Sequence, residues 1–348
     1  MIRRRDFMAG SASVLAAPMV VRRAFAQEPE VTLQLHHFLS PQAPAHTQML
    51  EPWARAIEED SDGRIRIEIF PAMSLGGAPP QLFRQVVDGV VDIVWTVNGY
   101  TPGLFPRSEI FELPTIFVND IAATNLAMRD LFDSHLAAEY DPVHVLFVHV
   151  HAGNGIHMAQ EPVRTPDDTA DKRLRVPGPT ANAVVEAIGA TPVTMPVPDL
   201  PQALSTNAVD GALIPWEIIP ALQLQETTEY QVEGPEKGRF GTTAFQVSMN
   251  RARWEGLPDD LKEIFDRNSG EDWLRQVAQV WRDSDDAGIA MAVEAGNEHI
   301  VLNEQEWEAF NTALAPVVDQ WIEDRSGEGF DSQALADAAR EALAARRS

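Results

Sequence analysis

The 348-residue chain contains no cysteine and has far fewer basic than acidic residues. Without cysteine it can form no disulfide, bind no metal through a thiolate and use no cysteine nucleophile. The 27 basic residues face 52 acidic ones, for a formal net charge of -25. Such a surface repels nucleic acid and anionic lipid, so we expect neither as a partner. A site for an anionic ligand must therefore concentrate positive charge locally.

Signatures of common enzyme classes are also missing from the sequence. It contains no G-x-S-x-G, no P-loop and no G-x-G-x-x-G segment. After the N-terminal region, no stretch is apolar for long enough to span a bilayer, so we expect a mature chain that is not inserted in a membrane. These absences favour a binding protein without cofactor or metal over an enzyme.

The first 26 residues have the pattern of an export signal. A basic start precedes an apolar stretch at 7–21, and an A-x-A motif predicts cleavage between Ala26 and Gln27. The pair Arg4-Arg5 resembles the twin-arginine type, with general secretion as the alternative route. A membrane anchor is a further alternative, but the apolar stretch is short and rich in small residues. We expect a periplasmic protein.

Strand-like and helix-like segments alternate along the mature chain. Residues 27–140 alternate from VTLQLHHF to VVDIVWTV, and residues 141–250 repeat the alternation from VHVLFVHV through RLRVP to GALI. This order predicts parallel strands with right-handed crossovers, hence two α/β lobes. Residues 251–348 are expected to form helices that pack on and bridge both lobes. Within them, Asn268–Gly270 is expected to bend or split a long helix.

One arginine occupies a position suited to binding an anion. Arg175 ends the strand RLRV, at the edge where open α/β sheets bind their ligands. A helix is expected to start near Thr180 as N-cap, which would direct its N–H groups and positive dipole end into the same crevice. A guanidinium matches a carboxylate with two parallel hydrogen bonds. The alternative is an ion pair with an aspartate or glutamate of the chain itself.

Three segments resemble the substrate-binding proteins of TRAP transporters, the DctP-like family. They run from Glu51 to Phe117, from Arg173 to Glu217 and from Ser248 to Phe265, in the family's order. The resemblance implies a two-lobed periplasmic-binding-protein (Venus flytrap) fold with a long helix spanning the lobes. It also implies capture of a small organic acid and its delivery to a cation-coupled membrane permease. Most relatives are monomers, and we expect a monomer.

The resemblance also implies roles for individual residues. In the family the arginine of the R-V-P motif grips the ligand carboxylate, which is Arg175 in this sequence. Many relatives carry a second arginine after the crossover into the second lobe, but the matching stretch HAGNGIHM has none. A single carboxylate or sulfonate is therefore expected. The candidate ligand-binding residues are Arg175, Trp216, Glu217, Asn98, Tyr100, His37, Phe38, Asn154 and Asn250.

Several of these candidates have structural alternatives. Trp216 could stack on the ligand or belong to the core. Glu217 could accept a hydrogen bond from a ligand hydroxyl or ammonium, help to hold a cation, or simply start a solvated helix. Asn98 and Tyr100 follow a strand end and could reach the cleft or form a plain turn. The same two alternatives apply to His37 and Phe38, which end the first strand. Asn250 could reach the pocket or cap the next helix.

Two other functions remain open on the sequence. His149 and His151 lie two apart on a strand, so both rings could share one face and bind a metal with His157 or His144 in a periplasmic metal-dependent enzyme. No H-E-x-x-H motif supports that hypothesis. A ligand-sensing receptor for a signalling partner is the second alternative. The ligand stays open among hydroxy acids, keto acids, sugar acids, sulfonates and zwitterions such as ectoine.

Overall fold

The computed structural model describes residues 28–347, so the predicted export signal lies outside the described residues. Within them, eleven strands form two sheets. The strands are β1 (Val31–His37), β2 (Ile65–Phe70), β3 (Ile93–Val97), β4 (Val143–Val150), β5 (Gly155–Met158), β6 (Arg173–Val176), β7 (Thr191–Thr194), β8 (Gly211–Ile214), β9 (Tyr230–Glu233), β10 (Ala244–Asn250) and β11 (Glu298–Val301).

The same residues form twelve α-helices that cover the sheets and fill the C-terminal part of the chain. They are α1 (Glu51–Asp60), α2 (Leu82–Val87), α3 (Ile121–Asp130), α4 (Pro179–Ala187), α5 (Leu200–Ser205), α6 (Ile218–Leu222), α7 (Arg251–Glu255), α8 (Asp259–Asn268), α9 (Glu271–Glu294), α10 (Glu304–Leu314), α11 (Pro316–Asp324) and α12 (Ser332–Arg346). No helix formed by residues 28–347 combines the length and apolar character that crossing a membrane requires.

The two sheets are the centres of two lobes. The first has the order β2-β1-β3-β10-β4, in which β1, β2 and β3 are parallel and β10 is antiparallel to both neighbours. The second has the order β11-β9-β5-β8-β6-β7, with β6, β7 and β8 parallel and β5 antiparallel to its neighbours. The two-lobed α/β fold is confirmed, with mixed rather than purely parallel sheets.

Burial follows the position of each strand. The central strand β3 is buried along its whole length and is apolar except for Thr96. The edge strand β2 instead turns Ile65 and Ile67 inward and exposes Arg66 between them. Helix α1 packs one stripe, which includes Trp53 and Ile57, into the core.

The lobes do not follow the chain order that the alternation of segments suggested. Strands β4 and β10 fall in the range 141–250 expected for the second lobe, yet both pair in the first sheet. The chain therefore crosses between the sheets at 151–154 and returns at 234–243. The two crossing segments are hydrogen-bonded, because Asn154 N donates to Gly241 O (2.9 Å) and Phe240 N donates to Asn154 O (3.0 Å). These two crossing segments connect the lobes.

A long helix contacts both lobes, as the fold prediction required. The predicted break at Asn268–Gly270 is confirmed, since α8 ends at Asn268 and α9 begins at Glu271. Helix α9 packs against α3 and β4 of the first lobe and against α6 and β11 of the second. Its Gly288 lies so close to the second lobe that an added Cβ would be 2.0 Å from the carbonyl oxygen of Trp216. Among the other C-terminal helices, α8 and α12 contact the first lobe, and α10 and α11 contact α4.

A buried ion cluster joins α9 to the crossing segments. The guanidinium of Arg239, in the returning segment, pairs with Glu233 of β9 and with Asp285 of α9. All three side chains are buried. Buried ions of this kind require a partner, since an uncompensated charge in the interior is strongly destabilising.

Replacing Arg239 should therefore destabilise the fold. Arg239→Ala leaves the carboxylates of Glu233 and Asp285 buried without their cation, and we expect the free energy of unfolding to fall by about 3–5 kcal/mol. Urea unfolding followed by tryptophan fluorescence measures this loss. As control, Arg84→Ala removes an exposed helical ion pair with Asp88 and should leave the midpoint unchanged. An Arg239→Ala midpoint equal to that of the wild type would contradict the assignment.

Candidate functional site

A cavity lies between the two lobes, at the carboxyl ends of the parallel strands. The space between its walls measures about 400 Å³, including solvent at its mouth. Its polar lining comes from Arg175, Asn154, Glu217, His151 and Thr243, and its aromatic lining from Phe38, Trp95, Tyr100 and Phe245. Both lobes and one crossing segment thus contribute side chains.

Arg175 is the cation of this cavity, and no carboxylate of residues 28–347 pairs with it. The side chain is 2% exposed, its Nε donates to Met195 O (2.9 Å), and its Nη2 has no hydrogen-bond partner. Burial lowers the pKa of the guanidinium, while Tyr100 and Asp199 oppose this shift. Arginine nevertheless stays protonated in proteins. The cavity therefore contains an uncompensated positive charge.

The helix after β6 begins two residues earlier than expected. Gly178 rather than Thr180 is the N-cap of α4, which starts at Pro179. The hydroxyl of Thr180 instead donates to the carboxyl group of Glu112, across the boundary between the lobes. Proline at the first helical position has a preset φ and lacks only an N–H that the helix would leave unpaired.

Two more polar side chains of the cavity are buried without partners. Asn154 is 1% exposed, and neither its amide nitrogen nor its amide oxygen is hydrogen-bonded. Glu217 is 5% exposed, and its Oε2 also has no partner. It is the N-cap residue of α6 but is buried, not solvated. Since buried polar groups are nearly always hydrogen-bonded, three such groups in one cavity indicate that a ligand supplies the missing partners.

Parallel aromatic rings form the wall contributed by the first lobe. The rings of Phe38 and Trp95 are stacked with centroids 5.0 Å apart, and those of Trp95 and Phe245 with centroids 5.1 Å apart. Tyr100 meets the edge of Phe38 at 5.4 Å. A rigid aromatic wall of this kind suits an apolar ligand surface.

Five of the nine predicted site residues thus line the cavity, and four do not. Trp216 is absent from the cavity lining, although its neighbours Pro215 and Glu217 belong to it. Its indole packs against the edges of His157 and His299 in the core. The prediction that Trp216 contacts the ligand is corrected accordingly.

Asn98, His37 and Asn250 are also absent from the cavity wall. Asn98 is satisfied within the first lobe, donating to Tyr140 Oη (2.7 Å) and accepting from Gln246 Nε2 (2.8 Å). The ring nitrogens of His37 are taken up by His46 and by the backbone N–H of residue 39.

Asn250 stands at the wrong end of its strand for ligand contact. Because β10 is antiparallel to β3, Phe245 near its start lies opposite Val97 at the cavity, while Asn250 lies at the far end. Its side chain accepts from Arg253 N (3.0 Å) as a helix cap and donates to Val86 O (2.8 Å). The capping alternative is the one observed.

The histidines that suggested a metal site have other roles. His149 is buried among aromatic rings, and its Nε2 accepts from Trp95 Nε1 (2.9 Å). His151 lies just beyond the strand, accepts from Gly153 N (2.9 Å) and faces the cavity. Burial lowers the pKa of each ring to about 3, so both are neutral. Among residues 28–347, no group of three potential ligands could hold a metal ion.

The sequence prediction missed Trp95, Phe245 and Thr243. Trp95 and Val97 are two apart at the carboxyl end of β3 and face the cavity together. That position is readable from the strand pattern. Thr243 and Phe245 could not be found in this way, because they reach the cavity only through the antiparallel return of β10.

Comparison with known proteins identifies the family. The sequence profile of the bacterial extracellular solute-binding proteins, family 7 (DctP), matches residues 35–324. The chain belongs to this family. It is a TRAP substrate-binding protein of the DctP type, and periplasmic location is typical of the family.

Solved structures of other TRAP solute-binding proteins are close to this DctP-family protein. One, from Rhodoferax ferrireducens T118 in complex with copurified benzoate, is 36% identical, with coverage of 90% of this chain and 98% of that chain and a TM-score of 0.88. Another, a marine metagenome protein specific for aromatic acid ligands with bound 3-hydroxybenzoate, is 34% identical, with coverage of 92% and 100% and a TM-score of 0.89. The outer membrane transporter protein TsaT of Comamonas testosteroni is 26% identical over 91% of this chain and 93% of its own length.

The lobes of the DctP-family protein touch one another beside the cavity. Gly99 and Gly178 meet so closely that an added Cβ on Gly178 would lie 2.8 Å from the Gly99 Cα. Nearby, Tyr100 Oη accepts from Val197 N (2.9 Å). We call Gly99 and Gly178 the glycine contact. The structure is therefore a closed form of the two lobes.

Glu112 forms a second contact between the lobes. Its carboxyl group accepts from Ala244 N (2.8 Å) and from the hydroxyl of Thr180. Burial raises the pKa of Glu112 to about 8, although both hydrogen bonds favour the carboxylate. The closed protein thus holds a proton on this group at neutral pH.

Glu112→Gln should change the pH dependence of stability. Because the pKa of Glu112 is raised from 4.5 to about 8, its contribution to stability is fully present below pH 4.5 and is lost as the pH rises to about 8. Glutamine is neutral throughout, so the free energy of unfolding of the variant relative to the wild type should rise across this range by a few kcal/mol.

Urea unfolding at a series of pH values measures this difference. Glu59→Gln, at an exposed position of α1, serves as the control and should follow the wild-type profile. Parallel profiles for wild type and Glu112→Gln would show that Glu112 is not protonated on folding.

Proposed function

We propose that this DctP-family protein captures a small aromatic monocarboxylate in the periplasm and delivers it to the membrane permease of a TRAP transporter. The observation that carries the proposal is the buried guanidinium of Arg175, which has no carboxylate partner within residues 28–347. A ligand carboxylate would supply both the charge and the hydrogen-bond acceptor that this group lacks. One guanidinium suits a ligand with one anionic group.

The walls of the cavity support an aromatic ligand. Phe38, Trp95 and Phe245 present stacked rings, and the aliphatic side chains of Val97, Val197 and Ile218 complete the apolar lining. An aromatic ring gains dispersion and stacking contacts on such a wall, whereas the many hydroxyl groups of a sugar acid would be desolvated against its apolar side chains. The relatives at 34% and 36% identity that bind 3-hydroxybenzoate and benzoate support the same ligand class.

The site is divided between the lobes, so a ligand would hold them together. Arg175 and Glu217 belong to the second lobe, while Phe38 and Trp95 belong to the first. A ligand in contact with both sides binds the closed form more tightly than the open one and shifts the equilibrium toward closure. Closure also excludes water, which strengthens the ion pair at Arg175.

The remaining parts of the proposal rest on the family. Its members are solute-binding proteins, so we expect stoichiometric binding without turnover, and mass spectrometry of the bound fraction should recover the ligand unchanged. We expect a monomer that meets the permease in its closed form.

Removing the guanidinium should abolish ligand capture. Arg175→Ala should weaken the binding of benzoate by about 2–5 kcal/mol, since the anion then lies in an apolar cavity without its cation. Isothermal titration calorimetry measures the affinity. Arg173→Ala is the matched control, because Arg173 lies on the same strand, two residues away, but is only partly buried and is paired with Asp210. Equal affinities for wild type and Arg175→Ala would refute the proposed site.

The glycine contact should control closure. Gly178→Ala places a methyl group against the backbone of Gly99, so the lobes cannot approach to the observed distance. We expect at least a roughly tenfold loss of benzoate affinity. X-ray scattering with saturating benzoate should show a larger radius of gyration than that of the liganded wild type.

Gly270→Ala is the control for this substitution. Its added Cβ would meet only ordinary contacts at 3.6 Å, and the residue caps α9 with a φ of -79° that alanine also adopts. A Gly178→Ala protein that closes on benzoate as the wild type does would contradict the role of the glycine contact.

A further inference from the structure

Glu217 is the polar group of the cavity that a simple aromatic carboxylate leaves unexplained. The proposed function assigns the ligand carboxylate to Arg175, and the present inference rests on that assignment. The Oε2 of Glu217 is buried in the cavity wall without a partner. An acidic side chain in a site for an anion requires a specific reason, because two carboxylates beside one guanidinium leave a net negative charge.

The groups around Glu217 offer it no cation of its own. Asp285 faces it from α9 and is itself acidic. Arg239 approaches from the crossing segment, but it is already paired with Asp285 and Glu233. Across the cavity, His151 is neutral because burial lowers the pKa of its ring to about 3. The remaining cation is Arg175, which the ligand takes.

We propose that Glu217 is an uncharged carboxylic acid in the complex, and that it hydrogen-bonds a hydroxyl group on the ring of the ligand. Glu217 is then a specificity-determining residue, and the ligand class narrows to hydroxylated aromatic monocarboxylates. A carboxylic acid can both donate to and accept from a hydroxyl group, so it satisfies the ligand without adding a charge. Asn154, which also lines the cavity with an unpaired amide, provides further hydrogen bonds for polar atoms of the ligand.

The electrostatic environment agrees with a neutral Glu217. Burial raises the pKa of its carboxyl group, and the neighbouring Asp285 raises it further, whereas Arg239 opposes the shift only in part. Because the protonated form binds, affinity should be full below the pKa of Glu217 and should decline as the pH rises through it. An ionised Glu217 would instead select a ligand with an ammonium group, and its affinity for that ligand would fall on acidification.

The test compares substitutions that separate charge from hydrogen bonding. Glu217→Gln is neutral and nearly isosteric, while Glu217→Leu is neutral and cannot hydrogen-bond. The probes are benzoate, its three monohydroxy isomers and the zwitterion 3-(aminomethyl)benzoate, titrated by calorimetry at neutral pH. We expect wild type to bind at least one hydroxy isomer about five- to tenfold more tightly than benzoate, the gain typical of one hydrogen bond.

The two variants should differ in their preference for the hydroxy isomer over benzoate. Glu217→Gln should retain the preference for that isomer within about threefold, and Glu217→Leu should lose the preference while still binding benzoate. The affinity of wild type for the isomer should fall or stay constant between about pH 6 and pH 8. Glu217→Gln has no ionisable group at this position, so any decline caused by Glu217 should be absent from its affinity profile. Glu112 and Asp285 are present in both proteins, so the difference between the two profiles reports the titration of Glu217 together with its effect on the neighbouring Asp285.

Several results would overturn the inference. They are the absence of any preference for a hydroxy isomer, loss of the preference in Glu217→Gln, or tighter wild-type binding of the zwitterion than of every hydroxybenzoate. An affinity that rises with pH in wild type but not in Glu217→Gln would do the same. A failure of the proposed function would be seen in a different measurement, because Arg175→Ala would then bind benzoate as tightly as the wild type.

Discussion

The buried guanidinium of Arg175, which has no carboxylate partner among residues 28–347, is the feature on which the rest of the site depends. The fold contains another buried arginine, Arg239, and its charge is matched by Glu233 and Asp285. Both side chains are almost fully buried, but only Arg239 is compensated by the protein within the described residues. An unmatched buried charge is costly, and that cost decreases when an anion enters the cavity. The instability of the unliganded closed site is thus a source of ligand affinity.

The acidic composition of the chain makes this arrangement necessary. A formal charge of -25 repels small anions from most of the surface. The positive charge is therefore placed where water is excluded and where the acidic exterior is screened by protein and solvent. The neutral ring of His151 adds a hydrogen-bonding group to the cavity wall without adding charge, and the proposed uncharged form of Glu217 would do the same. In the proposed complex, the aromatic wall would add affinity through contacts that do not depend on charge.

The connection between the lobes allows one ligand to organise both of them. The segments 151–154 and 234–243 cross together and are hydrogen-bonded to each other, and α9 packs on both lobes. Asn154 belongs to a crossing segment and also lines the cavity, so the cavity and the connection between the lobes share a residue. Beyond the cavity, the glycine contact and the hydrogen bonds of Tyr100 and Glu112 set how far the lobes close.

The amino-acid sequence alone determined the alternation of strands and helices, and with it the α/β class, the break before α9 and the place of Arg175 at a strand end. These features are local, since they depend on periodicity and on the residues next to them in the chain. Tertiary structure alone decided that β10 returns to the first sheet, which brings Phe245 to the cavity and removes Asn250 from it. It also decided that Trp216 faces the core and that Arg175 lacks a carboxylate partner in the described residues. Those outcomes depend on which distant strands pair and which side chains they bring within hydrogen-bonding distance. Neither can be predicted from residues that are neighbours in the chain.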